Sequence, residues 1–113
     1  KNYKETRPWG SFENLLDNDN CKVKEIIIQP NQAPSYQFHY KRSEVWIVVR
    51  GTGTLRIEDE MSIVKPGDVI QVPIRTKHQI RNTGEDELVF IEVQLGDYFG
   101  EDDIVRVEDD YNR

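Results

Sequence analysis

EVWIVVRGTGTLRIED, residues 44–59, decides the fold. Its first half, EVWIVVR (44–50), is apolar on both faces, which suits a central strand or one lying at a subunit contact. Its second half, TGTLRIED (52–59), alternates cleanly, with Leu55 and Ile57 on one side and Thr54, Arg56 and Glu58 on the other. Between them RGTG (50–53) supplies the glycines a tight turn needs. The same grammar extends outward. CKVKEIIIQP (21–30) reads as a strand ended by proline, and DVIQVP (68–73), KHQIRN (77–82) and ELVFIEVQ (87–94) continue the series. PNQAP (30–34), KPGD (65–68) and NTGED (82–86) punctuate it. Strands recur every 8–12 residues and no helical spacing interrupts them, so the expected class is all-β, an antiparallel sandwich or barrel.

The 113 residues fit one domain with one core, with a strand arm over about 1–20 and an acidic C-terminal tail over about 97–113, read as solvated and holding one short strand, IVRV. No apolar run approaches the roughly 20 residues of a bilayer span. The opening KNYKETRPWG is polar, so no secretory signal is expected there. Cys21 is the single cysteine, which gives no internal disulfide and suggests a reducing cytoplasm. A net charge of −6 argues against a nucleic-acid surface. It also means that an anionic ligand needs a local cluster of Lys and Arg.

There are only two histidines, His39 and His78, and both fall in strand-like runs. Gln37, His39 and Lys41 are two apart and share a face if the chain stays extended. Glu44, Trp46 and Val48 form a second such row, and His78, Ile80 and Asn82 a third. If the barrel interior lies under these faces, Gln37, His39, Glu44 and His78 can converge. Imidazole nitrogen and carboxylate oxygen are ligands for zinc, iron, manganese and nickel, and a Gln amide oxygen is a neutral fourth. The bland alternative is a backbone-bonded His39, a solvated Glu44 and a surface His78; chemistry alone leaves both open.

The spacing goes further. From Asn31, five residues lead to Gln37, one to His39, four to Glu44 and six to Gly51. From Gly67, five lead to Pro73; His78 follows, and three more residues lead to Asn82. This two-block pattern resembles the motif of the cupin superfamily, with Asn31 and Arg75 standing where glycine is usual and Gln37 where histidine is. The resemblance implies an antiparallel double-stranded β-helix, or jelly-roll barrel. Along nearly the whole chain, RPWGSFE (7–13), RSEVW (42–46), GTG (51–53), PIRTKH (73–78), NTGEDELVFIEVQ (82–94) and GEDDIVRVEDDYNR (100–113) resemble the isomerase domain of type II mannose-6-phosphate isomerases. In that family the domain usually follows a mannose-1-phosphate guanylyltransferase, and no nucleotide-binding glycine loop is present here. Carried over, the resemblance implies Gln37, His39, Glu44 and His78 as ligands of a divalent metal, zinc first and manganese, nickel, iron or cobalt as alternatives. It also implies interconversion of mannose 6-phosphate and fructose 6-phosphate. Relatives often carry histidine where Lys41 stands.

That reaction moves a proton between two carbons through an enediolate, so it needs a base as well as a cation. Lys41, by its parity with His39, and Glu92, on the less apolar face of its strand, are the candidates. For the phosphate, Arg42, Arg50, Arg75 and Lys77 lie near the motif segments, with Arg42 and Arg75 preferred. Trp9, Tyr36, Phe38 and Trp46 are expected in the core rather than stacked on sugar. Val45, Ile47 and Val49 need cover from a second sheet or from the partner in a homodimer. Two other functions fit part of the pattern. His39, Glu44 and His78 form a two-His-one-carboxylate set suited to iron and oxygen, and a cupin of this kind can also bind a sugar or nucleotide sugar without turnover.

Overall fold

In the computed structural model, which describes residues 2–112, the chain folds as β1 (Lys4–Arg7), β2 (Gly10–Asp17), β3 (Cys21–Ile28), β4 (Tyr36–His39), β5 (Arg42–Arg50), β6 (Gly53–Ile57), β7 (Glu60–Val64), β8 (Val69–Val72), β9 (His78–Asn82), β10 (Leu88–Gly96) and β11 (Ile104–Glu108). A single 3-10 turn, Glu101–Asp103, precedes β11. Every pairing is antiparallel. Six strands form one sheet in the order β1-β2-β3-β10-β5-β8, and five form the other in the order β11-β4-β9-β6-β7. The inner faces share one core, from Phe12, Ile26, Trp46, Val48 and Phe90 on the first sheet, with Trp9 from the turn between β1 and β2, to Leu55 and Ile80 on the second.

The inward rows of the central strands change character along their length. On β10 the inward side chains run Leu88, Phe90, Glu92, Gln94; on β5, read back, they run Val48, Trp46, Glu44, Arg42. On β3 they run Ile28, Ile26, Lys24. Register aligns these gradients: Phe90 lies opposite Ile26 and Val48, Glu92 opposite Lys24 and Trp46, and Gln94 opposite Glu44. One end of the barrel is therefore a hydrocarbon plug and the other a buried polar chamber. Phe90 is 2 % exposed and packs against Trp46 with ring centroids 4.9 Å apart. Phe90→Ala is expected to cost about 3–5 kcal/mol, read as a lower denaturant midpoint. A loss below about 1 kcal/mol would show that this plug does not carry the fold.

The turns use backbone geometry that few residues adopt. Asn31 has φ 67° and Arg75 φ 62°, so both take the left-handed conformation at the two positions where glycine is usual. The Arg75 N–H bonds the His39 carbonyl at 2.6 Å, which ties the loop before β9 to the end of β4. Asn82 is fully buried; its amide donates to the carbonyls of Ile28 and Asp86 and its oxygen accepts from Gly84, so it closes the turn after β9. Glu58 and Asp59, φ 47° and 71°, are the two loop residues of the β6–β7 hairpin, in which Ile57 faces Glu60. That hairpin was not expected beyond residue 59. The strand expected in the C-terminal tail is present, but it is no solvated appendage: β11 pairs with β4 and so borders the polar chamber.

Candidate functional site

The chamber is lined by His39, Glu44, His78, Glu92, Arg42 and Lys24 among others, and about 90 Å³ of it is open to water. Three donors form its centre. His39 and Glu44, from β4 and β5, approach to 3.3 Å (Nε2 to Oε2), and His78 Nε2 from β9 lies 4.0 Å from Glu44 Oε1. One donor atom from each of the three lies within 4.8 Å of the others, and all three residues are buried.

Each is held from behind. His78 Nδ1 donates to the Thr76 carbonyl at 2.9 Å, which leaves Nε2 as the nitrogen facing the cluster. The Trp46 ring meets His78 edge-on at 5.6 Å and donates its Nε1–H to Glu44 Oε1 at 2.9 Å. Arg42 Nε donates to Glu44 Oε2 at 2.8 Å. Burial by itself would raise the Glu44 carboxyl, but His78, Arg42 and His39 outweigh it and hold it down to about 2. Burial pushes His39 down to about 4 against the pull of Glu44, so near neutral pH the ring keeps a lone pair. His39 Nδ1 is buried with no hydrogen-bond partner among the described residues. Two imidazoles and a carboxylate, all buried and with donor atoms this close, fit a divalent transition cation.

Glu92 stands beside the cluster on β10, 7 % exposed, with Gln94 Nε2 donating to its Oε2 at 2.6 Å. Burial, aided by the charge of Glu44, pushes its carboxyl up to about 8, although Lys24 and Arg42 pull the other way. Of two adjacent buried carboxyls, one is thus held ionised and the other is poised to exchange a proton near neutral pH.

The remaining expected residues divide. Gln37 lines the chamber, lies opposite His78 across the β4–β9 pair, and donates its amide to Ser35 Oγ at 3.0 Å, which turns Oε1 into its free acceptor end. Arg42 is 4 % exposed and faces inward. Lys41 is not brought in. The chain leaves the strand after His39, where the buried Asp103 carboxylate accepts the N–H groups of Tyr40 and Lys41. The parity with His39 ends there, and the Lys41 ammonium sits outside on the Tyr98 ring at 4.8 Å. Arg75 is exposed too, over the Tyr40 ring at 5.8 Å, and it contributes through its backbone rather than its guanidinium. Arg50 is exposed and pairs with Glu87. Trp9, Tyr36 and Trp46 are buried as expected, and Phe38 is half-buried.

Sequence reasoning missed Lys24. Its parity with Ile26 and Ile28 was a usable signal, but Val23 and Ile27 make the other face of β3 equally apolar. It also missed Arg7, Arg106 and Glu101, which line the same chamber.

Comparison with known proteins fits this arrangement. A family profile described as "Mannose-6-phosphate isomerase C-terminal" matches residues 1–109. A mannose-1-phosphate guanylyltransferase of Salmonella montevideo is 40% identical over 107 residues, which cover 95% of this chain and 23% of that protein. The chain thus spans about a quarter of the length of the curated relatives it matches. The capsular polysaccharide assembling protein CapF of Staphylococcus aureus superposes with TM-score 0.80 at 23% identity, over 96% of this chain and 34% of that one. The Cnp3 cupin domain of Schizosaccharomyces pombe gives TM-score 0.72 at 12% identity, over 77% of this chain and 64% of that one. The fold is therefore the cupin double-stranded β-helix. No helix among the described residues is long and apolar enough to cross a membrane. The profile match over nearly the full length, with the polar chamber in place, settles kinship: this chain belongs to the mannose-6-phosphate isomerase C-terminal family.

Proposed function

We propose that the chain is a metal-dependent sugar-phosphate isomerase domain that interconverts mannose 6-phosphate and fructose 6-phosphate. The observation that carries this is the buried His39–Glu44–His78 cluster with a raised carboxyl, Glu92, beside it, in a chain of this family. His39, Glu44 and His78 would hold the cation, zinc first, with Gln37 Oε1 as a fourth donor from the facing strand. When bound, the cation supplies Lewis-acid stabilisation of charge on the sugar's carbonyl and hydroxyl oxygens. Glu92, ionised, takes the proton from one of the two sugar carbons and, as the acid, returns it to the other, while the hydroxyl proton passes from one sugar oxygen to the other. Trp46 and Arg42 keep Glu44 ionised and oriented, and burial of the chamber limits water at the reacting carbons. Turnover is tested with the zinc-loaded protein and mannose 6-phosphate, following fructose 6-phosphate. Formation of the ketose is the expected result; ligand binding with no turnover would identify a binding cupin instead.

We also propose that the chain works as a homodimer through the outer face of the six-stranded sheet. Ile47 lies in register with Val69 on one side and Ile91 on the other, and Val45 with Val93. Ile47, Val49 and Val69 are 44%, 52% and 59% exposed, a contiguous apolar surface that a second copy would cover by two-fold symmetry. Ile47→Asp with Val69→Asp is expected to convert a dimer to a monomer, read by light scattering after size exclusion. A wild-type monomer at tens of micromolar would refute this assembly.

A further inference from the structure

We propose that Lys24 and Arg42 form the seat of the ligand's phosphate, and that the Glu101 carboxylate fills this seat in the free protein and is displaced when the ligand enters. The ligand's identity rests on the isomerase reading above; the seat itself requires only a small phosphate-like anion.

Lys24 is 4 % exposed, an expensive place for an ammonium group unless an anion meets it. Its Nζ lies 4.2 Å from the Phe12 ring centroid and 3.8 Å from Glu101 Oε2. Arg42 is equally buried. Its Nε is committed to Glu44 at 2.8 Å and its Nη2 faces His39 at 3.5 Å. The remaining nitrogen, Nη1, has no hydrogen bond among the described residues and lies 3.5 Å from the same Glu101 Oε2. Two buried cations from different strands thus converge on one oxygen, at distances too long for full hydrogen bonds. Donors outnumber acceptors there, as expected of a seat built for an anion with more oxygens than a carboxylate has.

Glu101 is a suitable tenant and a poor permanent partner. Its side chain is 46% exposed and it opens the short 3-10 turn between β10 and β11. It can swing outward without disturbing either sheet. Some such movement is needed, because the roughly 90 Å³ now open to water is small against the roughly 300–1,000 Å³ of ordinary small-ligand pockets. Arg106 lines the same chamber and adds to its positive field, in a chain whose net charge is −6, whereas Arg7, also in the lining, is paired with Glu5 at 2.6 Å. Arg42 also fixes the geometry of a bound sugar phosphate. One guanidinium spans from Glu44, in the donor cluster, to the seat, so a ligand anchored there by its phosphate extends its other end toward His39, Glu44 and His78.

The test is calorimetric titration of the intact chain with inorganic phosphate, mannose 6-phosphate and mannose. Glu101→Gln removes the competing charge at an exposed position and should tighten both phosphate ligands about fivefold or more. Lys24→Met should weaken them about tenfold or more, and Lys24→Arg should restore most of the loss. Mannose affinity should not change in any variant. The proposal fails if Glu101→Gln leaves phosphate affinity unchanged or lowers it, or if neither wild type nor Glu101→Gln binds phosphate. Should Lys24→Met not fold, Glu101→Gln decides alone. Binding is read without turnover, so the two readings separate. Shifted affinities with no isomerisation keep the seat and reject the isomerase. Isomerisation with unchanged KM in Glu101→Gln and Lys24→Met keeps the isomerase and rejects the seat.

Discussion

His39→Ala is expected to eliminate stoichiometric zinc binding and to lower kcat/KM for mannose 6-phosphate by about a thousandfold or more. The size follows from what is lost. A Lewis acid at a developing oxyanion is worth several kcal/mol, and each ~1.4 kcal/mol is tenfold in rate. His39 contributes one of only three ionisable or imidazole donors in the cluster, and the remaining pair, Glu44 and His78, stands 4.0 Å apart and is already tied to Trp46 and Thr76. His78→Ala should match it. Lys41→Ala and Arg75→Ala should stay within about threefold of wild type, because both side chains lie at the surface against tyrosine rings. Metal content by plasma emission and a coupled isomerase assay read both quantities. Turnover that persists in His39→Ala and His78→Ala would exclude the mechanism.

Glu92→Gln is expected to lower kcat about 10²–10⁴-fold while KM changes little, because the amide keeps the shape and loses the base. The pH dependence identifies the group. Wild-type kcat/KM should rise with pH as Glu92 ionises, and that limb should vanish in the variant. Without a cation on Glu44, burial, then the charge of Glu44, puts this carboxyl at about 8, well above its unfolded value; a bound cation would lower it from there. The same shift makes a stability prediction. Folded Glu92 holds a proton that the unfolded chain releases near pH 4, so its contribution is complete below that pH and is lost as pH rises through about 8. Metal-free wild type should therefore lose stability against metal-free Glu92→Gln between pH 4 and 8, seen as diverging urea midpoints. Midpoints that run parallel across that range would mean that Glu92 is not the raised carboxyl.

How far the sequence carried these conclusions depends on where strand parity holds. In residues 44–59 the period is clean, and Trp46 and Leu55 point inward as read. The same rule failed when extended past a strand end: Lys41 follows His39 by two residues, but Asp103 captures the intervening amides and turns the chain. It was undecidable on β3, where both faces are apolar, so Lys24 went unnoticed although it is the most enclosed lysine described. The β6–β7 hairpin escaped because its loop is Glu58-Asp59 rather than Asn-Gly. Asp59 accepts a hydrogen bond from Tyr36 and pairs with Arg56, and these tertiary contacts hold a turn that its own residues do not announce. Glu101 sat in a stretch read as solvated tail, and only the β4–β11 pairing brings it over the chamber. Local pattern thus reveals which residues alternate, whereas the site also depends on which loops fold back over the open end.

The most direct measurement is anomalous diffraction at the zinc edge from crystals grown with one equivalent of zinc. A single strong peak bounded by His39, Glu44 and His78 is the predicted result. A peak elsewhere on the molecule, or none within reach of both imidazoles, would contradict the account.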